Sequence, residues 1–361
     1  MRVVATNSLV PGAVLAKTIY NENGQALLQQ GIAFTPQIID RLKCFDITYV
    51  YIEDRRTSDI TANSPLSEKT RMKALHSIKQ SFSTIHQSVL SDHRYVLEET
   101  GRELRGIVRS LIRELRNDGE VMSLLSDVFT HDDYIFTHSL NVTMYALALG
   151  RELNLTPPRM ESLGLGAILH DVGKMKVPRE ILLKPGRLTE DEFKCIQAHT
   201  EAGFEILRQS PNIPLLAAHC AYQHHERLDG SGYPRGIKCE DIHLFGKILA
   251  IADVFDAVTS NRVYRQAMLP HEGLEILYSG SGSLFDQSMV EAFRRCIAVY
   301  PNGLSVQLDD GREAIVVKQN PNLCDRPIVR ELKSDGTRGR DIDLSKELNI
   351  MIANCQLTSV S

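Results

Sequence analysis

Histidine and aspartate recur through the middle of this chain in segments that are otherwise apolar and helical. His170 and Asp171 end one such segment, within LGAILHDVGK. Imidazole and carboxylate groups are the usual ligands of divalent transition metals. Two adjacent residues of a helix diverge by about 100°, so this pair needs partners from other helices. The candidate partners are His138, His199, His224, His225 and Asp253.

The setting of Asp253 favours a metal over simple burial. It lies within ILAIADVFDAV, where an ionised carboxylate is costly without a positive partner. The nearby lysines and arginines are too few to neutralise all the candidate residues, whereas bound cations would neutralise them together. His219 is ambiguous because it lies five residues before His224. The remaining histidines are predicted to be packed or solvated: His76, His86, His93, His131, His243 and His271.

The composition is that of a globular protein of two or three domains. The chain has 361 residues, of which 43% are hydrophobic and 24% charged, and its net charge is -4. This charge gives no indication of binding to a nucleic-acid polymer. No apolar stretch reaches the roughly 18 residues of a membrane span, and the N-terminus lacks the apolar core of a signal peptide. Seven cysteines without a CxxC motif favour reduced thiols, so we expect a cytoplasmic protein.

Local patterns divide the chain into four parts, and the predicted fold class is mainly α with small mixed or β-rich units at both ends. Residues 1–60 combine short β-like runs with one helix and form a small α/β N-terminal unit. Residues 61–124 form a helical linker region, and residues 125–300 are almost wholly helical. In residues 301–361 the apolar period changes to two, and LSVQLDDGREAIVV predicts a hairpin within a small β unit.

The linker region has two interpretations. Apolar residues recur every three or four positions within 65–119, from Leu75 to Val89 and again from Leu104 to Leu115. One interpretation is a coiled coil through which two chains form a homodimer. The other is a helical hairpin that packs on its own domain. The pattern does not exceed roughly four heptads, so it does not choose between them.

The order of the candidate ligands resembles that of a known family. The motifs are HDVGK at 170–174, AHTEAG at 198–203, HHERLDGSGYP at 224–234 and DVFDAVTSNRVYR at 253–265. Together they resemble the HD superfamily of metal-dependent phosphohydrolases. The Gly-Tyr-Pro sequence at 232–234 is similar to the motif that names the HD-GYP subfamily. The resemblance covers about residues 125–300 and is specific, because several motifs occur in the family's order and spacing.

The resemblance implies an HD-type helical catalytic domain that hydrolyses cyclic di-GMP to linear pGpG, and in some members on to GMP. It implies two divalent ions, commonly iron or manganese, with a bridging hydroxide that attacks the phosphodiester. The implied ligands of one ion are His138, His170, Asp171 and Asp253. Those of the other are Asp171, His199, His224 and His225, so that Asp171 bridges the pair.

Further residues match family positions that contact the phosphates of the substrate: Lys174, Tyr233, Arg262 and Arg265. Asp171 would hold the two ions together and Lys174 would offset transition-state charge, so these two are the predicted catalytic residues. Arg265 stands where some members have lysine, which keeps the charge but changes the donor geometry. Some members bind a third ion through a glutamate four residues before the first histidine. Tyr134 holds that place here, which favours two ions.

Other functions would use the same residues. An HD phosphohydrolase for another nucleotide would share the ligands, whereas a cyclic-dinucleotide receptor would keep the pocket and lack one or more of them. None of the seven is missing here, which favours an enzyme. Without the surrounding motifs, Lys174 would be interpreted as a solvated helix-end cation, Arg262 and Arg265 as surface charges, and Tyr233 as a loop anchor.

Overall fold

The computed structural model describes most of the chain. The described residues are 1–20, 25–45, 47–61, 66–91, 94–117, 134–184, 186–210, 212–260, 267–321, 323–333 and 337–355. The protein is mainly helical and has small antiparallel sheets near both ends. This architecture confirms the predicted fold class.

The N-terminal residues form a small mixed unit. Its elements are β1 (Arg2–Ala5), β2 (Ile19–Tyr20), β3 (Ala26–Leu28), α1 (Pro36–Cys44) and β4 (Tyr49–Ile52). β1 pairs with β4 and β2 pairs with β3, both antiparallel. α1 starts with Pro36 at its first position, and the Thr35 hydroxyl accepts the Ile38 N–H, the arrangement expected for this start. The buried face of α1 packs in a small core with residues of the two sheets.

Two long helices follow, α2 (Glu68–Ser91) and α3 (Arg94–Asn117), and they pack against each other as a hairpin. Phe82 of α2 and Leu104 of α3 are fully buried, and both belong to the core of the helices that follow. Burying such a side chain contributes about 1.5–3 kcal/mol. Of the two interpretations, the structure shows the helical hairpin packed on the following helices. A homodimer through residues 65–119 stays a prediction.

Residues 134–296 form a bundle of helices around the largest core. The helices are α4 (Tyr134–Glu152), α5 (Pro157–Leu169), α6 (Arg179–Leu182), α7 (Glu190–Gln197), α8 (His199–Arg208), α9 (Leu215–Gln223), α10 (Leu244–Thr259), α11 (Pro270–Ser279) and α12 (Gln287–Cys296). α4 packs against α5, α10 and α12, and α9 packs against α5, α8 and α10. α4 and α10 are buried on nearly all sides, which explains why their sequences are apolar all round. Polar side chains of the two helices meet inside the bundle, as Asn141 of α4 does with Asp256 of α10.

The C-terminal strands form one antiparallel sheet of order β8-β7-β6-β5-β9. The strands are β5 (Ser305–Leu308), β6 (Glu313–Lys318), β7 (Ile328–Leu332), β8 (Arg338–Asp343) and β9 (Ile352–Cys355). β5 and β6 are the predicted hairpin, and Gly311 in its turn has a φ of 86°, which glycine adopts without strain. One face of the sheet is buried in its own small core.

The sheet is tied to the N-terminal unit. The Val3 N–H donates to the Gly303 carbonyl at 2.8 Å. Arg330 of β7 has a side chain only 1% exposed, and its guanidinium makes two hydrogen bonds each to Asp59 and Asp341. Because Asp59 precedes the helical bundle and Arg330 follows it, the two ends of the chain meet.

All seven cysteines lie within the described residues, and none forms a disulfide. Burial raises the pKa of the Cys220 thiol, so this residue is an inert part of the core, as its apolar setting predicts. Among the described helices, none combines the length and the apolar character needed to cross a membrane.

Candidate metal centre

The seven predicted ligands come from five helices and converge on one place in the bundle. His138 lies on α4, His170 and Asp171 at the end of α5, His199 at the start of α8, His224 and His225 at the end of α9, and Asp253 within α10. Six of them are at most 6% exposed, and the side chain of His225 is 17% exposed. A group of seven polar side chains has therefore been removed from water, which is costly unless they satisfy one another or a ligand.

A glycine brings two of these helices together. Asp171 precedes the 3-10 turn Val172–Lys176, and Gly173 in that turn lies directly against the first turn of α8. A Cβ at Gly173 would lie 1.9 Å from the carbonyl oxygen of His199, so any other residue would push α8 away. The glycine of HDVGK thus allows Asp171 and His199 to be neighbours.

The Asp171 carboxylate lies between two groups of imidazoles. Its Oδ2 is 3.5 Å from Nε2 of His138 and 3.4 Å from Nε2 of His170. Its Oδ1 is 3.3 Å from Nε2 of His199 and 3.7 Å from Nε2 of His224. Each oxygen therefore faces a different pair of nitrogens, which is the position that a ligand shared by two ions requires.

Asp253 also contacts both groups. Its Oδ1 lies 3.0 Å from Nε2 of His138 and 4.0 Å from Nε2 of His170. Its Oδ2 lies 3.8 Å from Nδ1 of His225. The carboxylate of Asp253, which lies within the apolar sequence ILAIADVFDAV, is thus surrounded by imidazoles in the folded protein.

The donor atoms fit a divalent metal. Two sets of three donors each lie within 4.8 Å of one another, namely His138, His170 and Asp171, and His199, His224 and His225. In the part of the chain that the structure describes, Nε2 of His170 and Oδ1 of Asp171 are buried without a hydrogen-bond partner. Orphaned buried polar atoms cost about 1–3 kcal/mol each, and coordination to a cation would satisfy them. Imidazole nitrogens with carboxylate oxygens suit ions such as manganese, iron and zinc.

Burial and charge set the protonation states that metal binding needs. Burial lowers the pKa of His170, and it lowers the pKa of His224 and His225 well below the ordinary value. Burial alone would raise the pKa of Asp171, but the positive charge of Lys174 is the largest opposing influence, and that pKa lies well below its usual range. Neutral imidazoles and an ionised carboxylate are the forms that coordinate a cation.

His138 lies between two carboxylates. Its Nδ1 is 2.7 Å from Oδ2 of Asp256 and its Nε2 is 3.0 Å from Oδ1 of Asp253. Burial lowers the pKa of His138, but hydrogen bonds to the two carboxylates outweigh burial and raise the pKa to about 9. A metal bound at Nε2 would therefore replace a proton while keeping a positive charge next to Asp253.

The Gly-Tyr-Pro loop packs over this cluster. The Tyr233 ring stacks on the His225 ring with 4.6 Å between centroids, and the Tyr233 N–H donates to the His225 carbonyl. Gly232 passes so close to the chain at 225–227 that a Cβ would lie 2.4 Å from the His225 carbonyl oxygen. Both carboxylate oxygens of Glu226 hold the far side of the loop by accepting the Arg235 and Ile237 N–H groups. Tyr233 is thus fixed beside the candidate ligands.

Lys174 is close to the candidate ligands. Its Nζ lies 2.5 Å from Oδ2 of Asp171, and its side chain is 15% exposed, so it is not a solvated helix-end cation. Arg262 and Arg265 lie outside the described residues, as does the side chain of Tyr134. The proposed roles of these three residues stay predictions.

Two buried acids beside the site had not been singled out from the sequence. Asp256 accepts a hydrogen bond from Asn141 at 2.9 Å in addition to its contact with His138, and Glu226 anchors the loop. Asp256 lies three residues after Asp253 in the same apolar helix, so the cost of burying an ionised carboxylate applies to it equally. His219 is not part of the cluster, because its ring packs on that of Phe204.

The fold and site place the chain in a known family. A family model described as HD domain matches residues 85–289, and the chain belongs to this family. A solved structure with a similar fold is the HDG"Y"P protein Bd1817 from Bdellovibrio bacteriovorus, with a TM-score of 0.50 over 81% of this chain and 97% of that one, at 15% identity. The family and the two His/Asp clusters together indicate a divalent metal site.

Two relatives have assigned activities. A cyclic di-GMP phosphodiesterase of Pseudomonas aeruginosa is 37% identical over 216 residues, which is 60% of this chain and 52% of the relative. The 3'3'-cGAMP-specific phosphodiesterase 1 of Vibrio cholerae is 40% identical over 157 residues, which is 43% of this chain and 36% of the relative. The chain thus spans about half the length, or less, of these relatives.

Proposed function

We propose that this protein is a metal-dependent phosphodiesterase that opens cyclic di-GMP to linear pGpG. The observation that carries the proposal is the position of Asp171, whose two carboxylate oxygens face imidazoles from different helices at 3.3–3.7 Å. The relative from Pseudomonas aeruginosa acts on cyclic di-GMP, and the Gly-Tyr-Pro sequence over the cluster supports the same substrate class.

Two divalent ions, iron or manganese, would occupy the centre. His138, His170, Asp171 and Asp253 would hold one, and Asp171, His199, His224 and His225 would hold the other. When bound, such a pair supplies Lewis acidity and lowers the pKa of water to near neutrality. The nitrogen-rich donor set is the reason for choosing transition metals over magnesium or calcium, which prefer all-oxygen sites.

The chain's own residues would position the phosphodiester and offset its charge. The ammonium of Lys174, which contacts Asp171, would donate to a non-bridging phosphate oxygen and stabilise charge that develops in the transition state. Burial raises the pKa of Tyr233, so its phenol stays protonated and would donate a hydrogen bond to a bound phosphate. Arg262 and Arg265 would supply further cations to the phosphates, as the family resemblance implies.

Turnover by purified, metal-loaded protein tests the proposal. The chain is depleted of metal with a chelator, reloaded with Mn(II) or Fe(II) under reducing conditions, and incubated with cyclic di-GMP. We expect pGpG to accumulate only in the reloaded samples. Separation of the nucleotides by chromatography measures both pGpG and GMP, and therefore also tests whether the reaction stops at the linear dinucleotide.

A panel of substrates separates this proposal from its alternatives. 3'3'-cGAMP is the most informative competitor, because a relative acts on it. A kcat/KM for 3'3'-cGAMP that exceeds the value for cyclic di-GMP would identify a different cyclic-dinucleotide phosphodiesterase. Binding of cyclic di-GMP without hydrolysis by fully loaded protein would identify a receptor.

A further inference from the structure

Four of the site histidines turn Nδ1 away from the cluster, and they differ in the group that Nδ1 contacts. In His170, His199 and His224, Nδ1 lies 2.6–3.1 Å from a backbone carbonyl oxygen of the preceding turn. In His138, Nδ1 instead lies 2.7 Å from the Asp256 carboxylate. A carboxylate on that side makes the imidazole a stronger metal ligand than a carbonyl does, and it fixes the tautomer and the ring orientation.

Hydrogen bonds fix the orientation of the Asp256 carboxylate relative to His138. It is 1% exposed, and its Oδ1 accepts hydrogen bonds at 2.9 Å from Nδ2 of Asn141 and from Oγ of Ser260. Its Oδ2 is thereby left facing His138. The three partners lie on α4 and at the end of α10, so this network also joins the two helices that carry His138 and Asp253.

The distribution of negative charge also favours the set of donors that contains His138. The set containing His138 is next to Asp171 and Asp253, with Asp256 directly behind it. The set formed by His199, His224 and His225 has only imidazoles as members. One Asp171 oxygen lies 3.3–3.7 Å from two of them, and Asp253 Oδ2 lies 3.8 Å from the third. Lys174 contacts the Asp171 oxygen on the His138 side and offsets part of its charge. The Asp253 and Asp256 carboxylates still lie closer to His138 than any carboxylate lies to the other set. A divalent cation is therefore attracted more strongly to the His138 side, and the low dielectric of the interior amplifies the difference.

We infer that Asp256 is a positioning residue that makes the two proposed metal positions unequal. The position that contains His138 fills first and holds its ion more tightly, and the position formed by His199, His224 and His225 fills second. This inference rests on the proposed two-ion centre, and it concerns the order and strength of binding within it.

A titration of the metal-free chain with Mn(II) tests the order of filling. Competition with a chelator of known affinity gives the two dissociation constants, and electron paramagnetic resonance distinguishes a single ion from a coupled pair. For the wild-type chain we expect two steps, with the signal of an isolated ion near one equivalent. Direct formation of coupled pairs from the first addition would overturn the inference. A chain that binds no Mn(II) would overturn the proposed centre as well.

Asp256→Asn tests the role of the carboxylate. The amide preserves size and removes the charge, so we expect the affinity of the tight position to fall about 10- to 100-fold while the weaker position changes little. Asp343→Asn is a matched control, because Asp343 also accepts from an asparagine and a serine, Asn320 and Ser345, on the C-terminal sheet. Wild-type affinity in Asp256→Asn, or an equal loss at both positions, would contradict the assigned role.

His199→Ala keeps the test independent of how well Asp256→Asn folds. It removes a proposed ligand of the weaker position and leaves His138, Asp253 and Asp256 in place. We expect this variant to retain one tightly bound Mn(II) with the isolated-ion signal. Loss of the tight ion in His199→Ala, with retention of the other, would reverse the proposed order and overturn the inference.

Discussion

Asp171 is the residue that connects the two sets of imidazoles, because each of its carboxylate oxygens faces a different set. We predict that Asp171→Ala loses both metal ions and that turnover of cyclic di-GMP falls at least about 100-fold, since loss of a shared ligand should exceed the 10- to 100-fold effect of an outer-shell change. Helical content should stay close to wild type, because the helix cores do not depend on this side chain. Elemental analysis, turnover and circular dichroism measure the three effects.

Asp343→Ala controls for the loss of a hydrogen-bonded carboxylate elsewhere in the chain. Asp343 lies on the C-terminal sheet, and its partners there hold its pKa well below the usual range. This control should keep its metal and its turnover. Full activity in Asp171→Ala would refute the bridging role, and a loss of helical content equal to the loss of metal would assign Asp171 to folding instead.

The convergence of the candidate ligands was predictable at this scale, whereas the residues behind them were not. His170, His224 and Asp253 are polar residues in apolar or motif-rich segments, so their types and order carry the signal. Whether Asp256 contacts His138 depends on how α4 packs against α10, and these residues are 118 positions apart. A pattern along one helix does not contain that information.

The loop at 224–237 is the element that closes over the site, and Glu226 is its anchor. Glu226 is 1% exposed, and its two oxygens accept the N–H groups of Arg235 and Ile237 at 3.0 and 3.1 Å. In Glu226→Gln one of these N–H groups would face an amide NH2 and lose its acceptor, at a cost of about 1–3 kcal/mol. We predict that the loop shifts, so that KM for cyclic di-GMP rises several-fold while metal content stays at the wild-type level.

Glu205→Gln provides the control for the same chemical change. Glu205 pairs with Arg208 on the surface of α8 and is about half exposed, so its loss should alter neither KM nor metal content. Steady-state kinetics and elemental analysis on both variants decide the matter. An unchanged KM in Glu226→Gln would show that the loop keeps its position without this anchor.

Element boundaries followed from local chemistry, but element partners did not. The capping box of Thr189 and Glu192 starts α7, and the turn at Asp309–Gly311 joins β5 to β6 in the predicted hairpin. The apolar stripes of α2 and α3 fit a dimer seam and a domain core equally well. The fold shows that Phe82 and Leu104 are buried in the core of the bundle, and it leaves a homodimer through residues 65–119 a prediction.

At the scale of the whole molecule, the N-terminal unit and the C-terminal sheet contact each other directly, although the helical bundle separates them in the sequence. Dividing the sequence into four parts does not predict this contact. Arg330 and Asp59 are 271 positions apart, and each is an ordinary charged residue in its own segment. All five guanidinium N–H groups of Arg330 are used, by Asp341, Asp59 and the carbonyl of Arg56. A buried cation of this kind requires its partners, so we expect the stabilities of the two terminal units to be linked.

Asp59→Asn tests that link through its pH dependence. The hydrogen bond with Arg330 lowers the pKa of Asp59 to about 2, so the stabilising effect of the carboxylate is complete above the ordinary pKa near 4 and disappears as the pH falls through about 2. We predict that Asp59→Asn unfolds at a lower temperature than wild type at pH 7, with a cost of about 1–2 kcal/mol. The difference should shrink between pH 4 and pH 2.

Hydrogen exchange shows whether the loss spreads across both ends of the chain. In Asp59→Asn we expect faster exchange in β1 and β4 and also in β7 and β8, because Arg330 loses a partner from the other unit. Asp310→Asn is the comparison: Asp310 pairs with Arg312 inside the β5–β6 turn, so its removal should affect that hairpin alone. Faster exchange confined to β1 and β4 in Asp59→Asn would mean that the two units contact each other without sharing stability. If they shared it, a buried guanidinium whose partner in the N-terminal unit had lost its charge and one acceptor oxygen would loosen its own sheet.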